Sequence, residues 1–203
     1  SKQFWLITAS LMGQTIMWDF LLMVPLYLRD TLGLSVAGAS MASSAFPFGS
    51  LFSVLVGGFM FDKLNRRATA RLMAFLLAMA ASCILMFYYM PQLSLSDRFA
   101  VNLSMALLFI FGLCVSPCYY IPMSVFSIEF GGPHSGFLVA LLDAIAFGAT
   151  ACFYYFAGEI ADRSWASFLI VLFAVAVWSL VMTFFFMLGE ARKREEPSRT
   201  LAN

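Results

Sequence analysis

Gly58-Phe59-Met60-Phe61-Asp62-Lys63-Leu64-Asn65-Arg66-Arg67 lies between two long apolar runs and packs four charges into six residues. A weaker copy, Gly158-Glu159-Ile160-Ala161-Asp162-Arg163, follows 100 residues later, again between apolar runs. Each is a polar hinge that closes the second of three hydrophobic spans. The chain thus carries one device twice.

Outward from the hinges, the composition excludes a soluble domain. The 203 residues are 62% hydrophobic and 11% charged, where soluble domains run at roughly 45–50% apolar and about 25% charged. Crossing a hydrocarbon core of about 30 Å takes roughly 20 apolar residues. Six runs reach that length, near 4–28, 39–61, 70–90, 99–122, 136–158 and 165–188. They predict an all-α membrane protein, a six-helix transmembrane bundle over 1–189 followed by a polar tail at 190–203. The connections at 29–38, 62–69, 91–98, 129–135 and 159–164 are too short to hold another domain. The first run is too long for a cleavable signal peptide and lacks a small-residue cleavage site. The chain begins at Ser1 rather than Met, and a longer polypeptide is the expectation.

Lysine and arginine placement sets the expected topology. With the N-terminus inside, the inner face receives Lys2, Lys63, Arg66, Arg67, Arg71, Arg192, Lys193, Arg194 and Arg199. The outer face receives Arg29, Arg98 and Arg163. Nine against three places both termini on the cytoplasmic side, or on the matrix or stromal side in an organelle. The two hinges then lie on opposite faces. Three spans followed by three inverted spans is the repeat logic of secondary transporters, whose sites form near the midplane between repeats.

The fourth run contains Pro117 and Pro122, each lacking an amide donor and crowding the turn before it, so a kinked or unwound helix is expected. Ala140, Ala144, Gly148 and Cys152 recur one turn apart in the fifth run and predict close approach of a neighbouring helix.

The first hinge resembles the signature loop of the major facilitator superfamily, Gly-x-x-x-Asp-Arg/Lys-x-Gly-Arg/Lys-Arg/Lys. Asn65 stands at the last glycine, asparagine being the next-best residue for a left-handed backbone. Six spans make half of that family's usual twelve-helix fold. Further stretches are similar to the C-terminal half of the organophosphate/phosphate (sugar-phosphate) exchangers. They are Pro25-Leu26-Tyr27-Leu28, Ile128-Glu129-Phe130-Gly131 after Pro117, Ala140-Leu141-Leu142-Asp143-Ala144, the second hinge, and Gly189-Glu190-Ala191-Arg192-Lys193. The resemblance implies an antiporter of small anions such as sugar phosphates, working by alternating access. It also implies a second six-helix bundle, in the same polypeptide or a partner chain. Gly58, Asp62, Lys63, Arg66 and Arg67, echoed by Gly158, Asp162 and Arg163, would latch one bundle against the other in one access state. One departure stands out. Bacterial exchangers bind phosphate through an arginine two turns before the Pro-x-Tyr-Leu end, where this chain has Met17.

Asp19 and Asp143 are the acids deep in spans, and intramembrane ionisable residues are by default substrate or proton pathway candidates. The competing role is helix bracing, with Gln14 or Asn102 as partners. Trp18, Tyr27, Tyr119 and Tyr120 are candidates to line a cavity and stack on a sugar, although Tyr27, like Trp165, lies near a span end and better suits an interfacial belt. His134 suits a turn, and Cys83, Cys114, Cys118 and Cys152 suit packing. No metal spacing, phosphate-binding loop or nucleophile–base pair appears, so neither an enzyme nor a cofactor nor a nucleic-acid partner is expected. The partners are the lipid bilayer and the second bundle. The other reading is a non-transporting, transporter-derived structural subunit among further subunits of a membrane complex.

Overall fold

The computed structural model describes the backbone of residues 2–61, 63–93 and 95–200, with side chains for all of these except 60, 97 and 191–200. Its elements are helical throughout the described residues: α1 (Lys2–Leu32), α2 (Val36–Ser43), α3 (Ala45–Phe61), α4 (Arg66–Tyr89), α5 (Asp97–Gly131), α6 (Ser135–Arg163) and α7 (Trp165–Thr200). Short 3-10 turns at Met90–Leu93 and Gly132–His134 follow α4 and α5. Helix is what hydrocarbon demands, because it satisfies every backbone polar group within the segment.

Five stretches are long and apolar enough to cross a membrane: Lys2–Leu32, Val36–Phe59, Arg66–Leu93, Arg98–Arg163 and Trp165–Glu190. The fourth is 66 residues long, about 99 Å if it were one straight helix. It is not one, because Tyr119 and Asp143 hydrogen bond to each other, and a straight helix would hold them about 36 Å apart. The chain therefore folds back at 132–134, where Gly132 takes φ +47°, and α6 returns along α5. This stretch contains the fourth and fifth apolar runs of the sequence reading.

Helix boundaries have local causes. Gly33, at φ +65°, ends α1 in a conformation that L side chains disfavour. Ser35 caps α2 by accepting from the Gly38 amide at 3.1 Å. The second run, expected to be one helix, divides at Ser44 into α2 and α3. Pro47 sits in the first turn of α3, where its missing N–H costs nothing. Pro117 and Pro122 lie inside α5, which stays helical through both; of the kink or unwinding expected there, the unwinding does not occur.

Polar and small residues set the helix contacts. A Cβ placed on Gly49 would meet the Phe109 carbonyl oxygen at 2.0 Å, and one on Gly112 would meet that of Phe46 at 2.3 Å. The backbones of α3 and α5 therefore touch. Ser50 and Ser116 hydroxyls pair at 2.5 Å, and Ser53 donates to the Leu113 carbonyl at 2.6 Å. Between α1 and α7, Gln14 Nε2 donates to Ser10 Oγ at 3.0 Å and Thr183 Oγ1 at 2.9 Å, while Gly13 faces Ser179. Phe20 centres the aromatic core, 6.0–6.2 Å from Phe87, Phe111 and Phe168.

Several expectations are corrected. Tyr27 is fully buried and donates to the Phe87 carbonyl at 2.5 Å, with Trp165 packed edge-on beside it; it braces α1 to α4 instead of joining an interfacial belt. Asn65 is extended, φ −72° and ψ 158°, and caps α4 by accepting from the Ala68 amide at 2.8 Å, so no left-handed backbone is needed there. Ala140, Ala144, Gly148 and Cys152 are exposed, with no described helix covering them. Helix α6 runs through the second hinge to Arg163, leaving Ser164 as the whole connection to α7. In the tail, α7 continues to Thr200, and 201–203 lie outside the described residues.

Overpacking at a backbone contact costs about 1–3 kcal/mol. Gly49→Ala and Gly112→Ala will each lower thermal stability in detergent by that amount. Gly148→Ala, with nothing within 4 Å of its added carbon, will be neutral or slightly stabilising. Equal losses at all three positions would refute the assigned contact.

Candidate functional site

Trp18 stands near the middle of α1, and its ring meets residues from two other helices. Phe46 of α3 lies 5.3 Å away edge-on, Tyr120 of α5 6.0 Å edge-on, and Tyr119 6.3 Å at a tilt. Tyr119 in turn donates its hydroxyl to Asp143 Oδ1 on α6. Together they border a cavity of about 200 Å³ lined by Thr15, Trp18, Tyr119, Tyr120, Met123, Asp143 and Phe147. By helical rise, Trp18 is about 24 Å from the start of α1 and about 21 Å from its end. The cavity thus sits at mid-height.

The structure brings together only part of the expected set. Trp18 and Asp143 share the cavity, as do Tyr119 and Tyr120. Asp19, one residue from Trp18, is turned about 100° around α1 and does not line it. Its neighbourhood is the α6 contact where Tyr154 donates to the Ile16 carbonyl at 2.8 Å. The two acids are therefore not a pair. Gln14 is fully buried in the α1–α7 contact, a brace and not a cavity residue. Asn102 is exposed near the start of α5, 17 residues before Tyr119 and so about 25 Å away along the helix. Thr15, Met123 and Phe147 were missed. Each lies three or four residues from a recognised one, on the same helical face.

The first hinge builds a second feature. Asn65 starts α4 and places Arg66 in its first turn, where the guanidinium pairs with Glu129 near the end of α5. Lys63 and Arg67 are exposed, and Asp62 lies outside the described residues. A cavity of about 350 Å³ beside the ion pair is lined by residues including Gly58, Phe61, Arg66, Thr69 and Tyr120. Tyr120 lines both cavities, so its ring is the wall between mid-height and the hinge. In the second hinge, Asp162 and Arg163 are exposed at the end of α6. A Cβ on Gly58 or Gly158 would meet nothing within 4 Å.

Arg66 and Glu129 side chains are 26% and 25% exposed, which limits the worth of their pairing to under about 1 kcal/mol. Arg66→Ala and Glu129→Ala will each lower the unfolding temperature slightly, and the exchanged pair Arg66→Glu with Glu129→Arg will recover most of that loss. No recovery in the exchanged pair would show that the two charges act separately.

Among the described residues no group of three or more His, Cys, Asp or Glu is placed to hold a metal ion. No curated protein and no solved structure matches the chain. A family model described as the Major Facilitator Superfamily matches residues 4–202. The match spans both hinges, every described helix and the mid-height cavity. The chain belongs to the major facilitator superfamily, a family of membrane transporters.

Proposed function

We propose that this chain is one six-helix bundle of an alternating-access secondary transporter. The bundle is read as two inverted three-helix repeats, α1 to α4 (with α2 and α3 as one broken span) and α5 to α7. A second bundle, from the same polypeptide or a partner chain, would close the mid-height cavity, and both termini would face the cytoplasm. The observation that carries this reading is the cavity itself. It lies midway along α1, is walled by α1, α5 and α6, and has a carboxylate at its side. Repeat interfaces near the midplane are where such transporters bind solutes.

The hinge fits the same reading. The Arg66–Glu129 pair ties α4 to α5 on one face, and Tyr120 separates it from the solute cavity. Rocking of the bundles would make and break contacts at Gly58–Arg67 and at its echo on the other face, with Asp62 acting across the interface. The uncovered Ala140, Ala144, Gly148 and Cys152 offer the second bundle a surface of close approach. A sugar phosphate or other organic anion, exchanged for phosphate, would have to find its cationic partners on that second bundle, because no lysine or arginine lines the cavity. A non-transporting subunit would have no use for an open cavity at mid-height.

Cysteine accessibility tests this without knowledge of the solute. Cys152 is the exposed native thiol, and Cys83, Cys114 and Cys118 are buried. In a Cys152→Ser background, Phe147→Cys places a thiol at the cavity wall. In right-side-out and inverted vesicles carrying the complete polypeptide, a membrane-impermeant thiol reagent will label that cysteine from both sides. Labelling from one side alone, or from neither, would refute alternating access.

A further inference from the structure

The rings around the mid-height cavity do not form a flat stack. Trp18, Tyr119 and Tyr120 make a triangle with centroids 6.3, 6.0 and 5.1 Å apart. Tyr120 stands at 86° to Trp18 and 87° to Tyr119. Parallel rings would suit a planar guest. Rings at right angles form a corner, and each carries negative charge on its face.

Asp143 completes the wall. Its Oδ1 accepts from Tyr119, and its Oδ2 has no hydrogen-bond partner among the described residues. No Lys, Arg or His lines the cavity. A carboxylate at membrane depth is costly unless something pairs with it, and among the described residues its hydrogen-bond partner is one hydroxyl. An anionic guest would meet a carboxylate and three electron-rich rings. A cationic guest would meet a counter-ion beside three aromatic rings. The size agrees as well: about 200 Å³ holds about six or seven water-sized groups at about 30 Å³ each, enough for a compact ammonium head with its alkyl substituents.

We infer that this cavity recognises the alkylammonium head of a small organic cation, with Asp143 as counter-ion and Trp18, Tyr119 and Tyr120 as an aromatic cage. The inference rests on the transport reading and names its substrate class. A simple α5–α6 brace would account for the Tyr119–Asp143 bond. It would account for neither the cavity beside that bond nor the gathering of three aromatic rings and the carboxylate around it.

The test uses the Phe147→Cys, Cys152→Ser protein in the same vesicles. Choline is the probe, its neutral isostere with carbon in place of nitrogen is the shape control, and a hexose phosphate is the anion control. Choline will protect the cavity thiol from labelling in a saturable way, and the two controls will not. Asp143→Asn keeps an acceptor for Tyr119 but removes the charge; Tyr120→Leu keeps bulk but removes the ring. Each will raise the choline concentration for half-protection by about tenfold or more. Two-sided labelling retained in each variant will verify an intact bundle. Equal protection by the neutral isostere, protection by the hexose phosphate instead, no protection at all, or unchanged choline protection in Asp143→Asn would overturn the cation assignment. Two-sided labelling would in those cases leave alternating access standing, whereas its loss in the parent protein removes the transport reading itself.

Discussion

The backbone contact between α3 and α5 is the constraint on which the site depends. Lipid tails are as apolar as leucine, so the hydrophobic effect gives membrane helices little reason to associate. What remains is close packing and hydrogen bonding. Gly49 and Gly112 face the carbonyls of Phe109 and Phe46, and the Ser50–Ser116 pair and Ser53 fix the register along the same seam. Helix α5 carries Tyr119, Tyr120 and, ten residues on, Glu129. Their heights along α3, whose Phe46 packs against Trp18, are therefore set in part by two residues that have no side chain.

Polar groups in the bundle divide by role, although the Gln14 amide oxygen has no hydrogen-bond partner among the described residues. Ser10, Gln14, Ser179 and Thr183 bond to one another across α1 and α7. Tyr27 and Tyr154 each end on a carbonyl of another helix. These groups serve assembly, since a hydroxyl or amide between helices gains more from a partner than from lipid. Asp143 differs in kind. It is ionisable, it borders a cavity, and its one hydroxyl partner belongs to a ring that also lines that cavity. Bracing needs a donor and an acceptor, and asparagine would serve. A carboxylate is the more costly choice at that depth, and the cost has a return only if a positive charge visits.

Much of this was legible in the sequence, and the exceptions have physical reasons. Hydropathy locates membrane crossings but not helix ends. Helices α1, α5 and α6 run past their apolar runs, since a helix need not end where its apolar residues do. Charge density marked the hinge, and the motif suggested a left-handed residue at Asn65. The local need was an orphan amide at the start of α4, which an extended asparagine meets. Trp18 and Asp143 were visible because large amphipathic and acidic residues are rare in apolar runs. Thr15, Met123 and Phe147 were not, since their role depends on which helical faces meet, a long-range fact. Asn102 misled for the converse reason. A polar residue inside a predicted run looks deep, but it is only five residues past the start of α5. Tyr27 sits near a span end, yet its ring turns inward to Phe87.

Gly58, Gly148 and Gly158 have no packing role among the described residues, each with open space where a side chain would stand. Glycine in a helix interior costs roughly 0.5–1 kcal/mol relative to alanine, and nothing among the described residues repays that. Gly49 and Gly112 show what the return looks like when it comes, a second backbone at contact distance. Two of these three glycines begin the charged hinges, and the other is adjacent to Phe147 at the cavity wall. Under the transport reading all three lie where a second bundle must approach and withdraw. That motion favours small residues over interlocking ones, because a surface that closes tightly through side chains would hold one state too well.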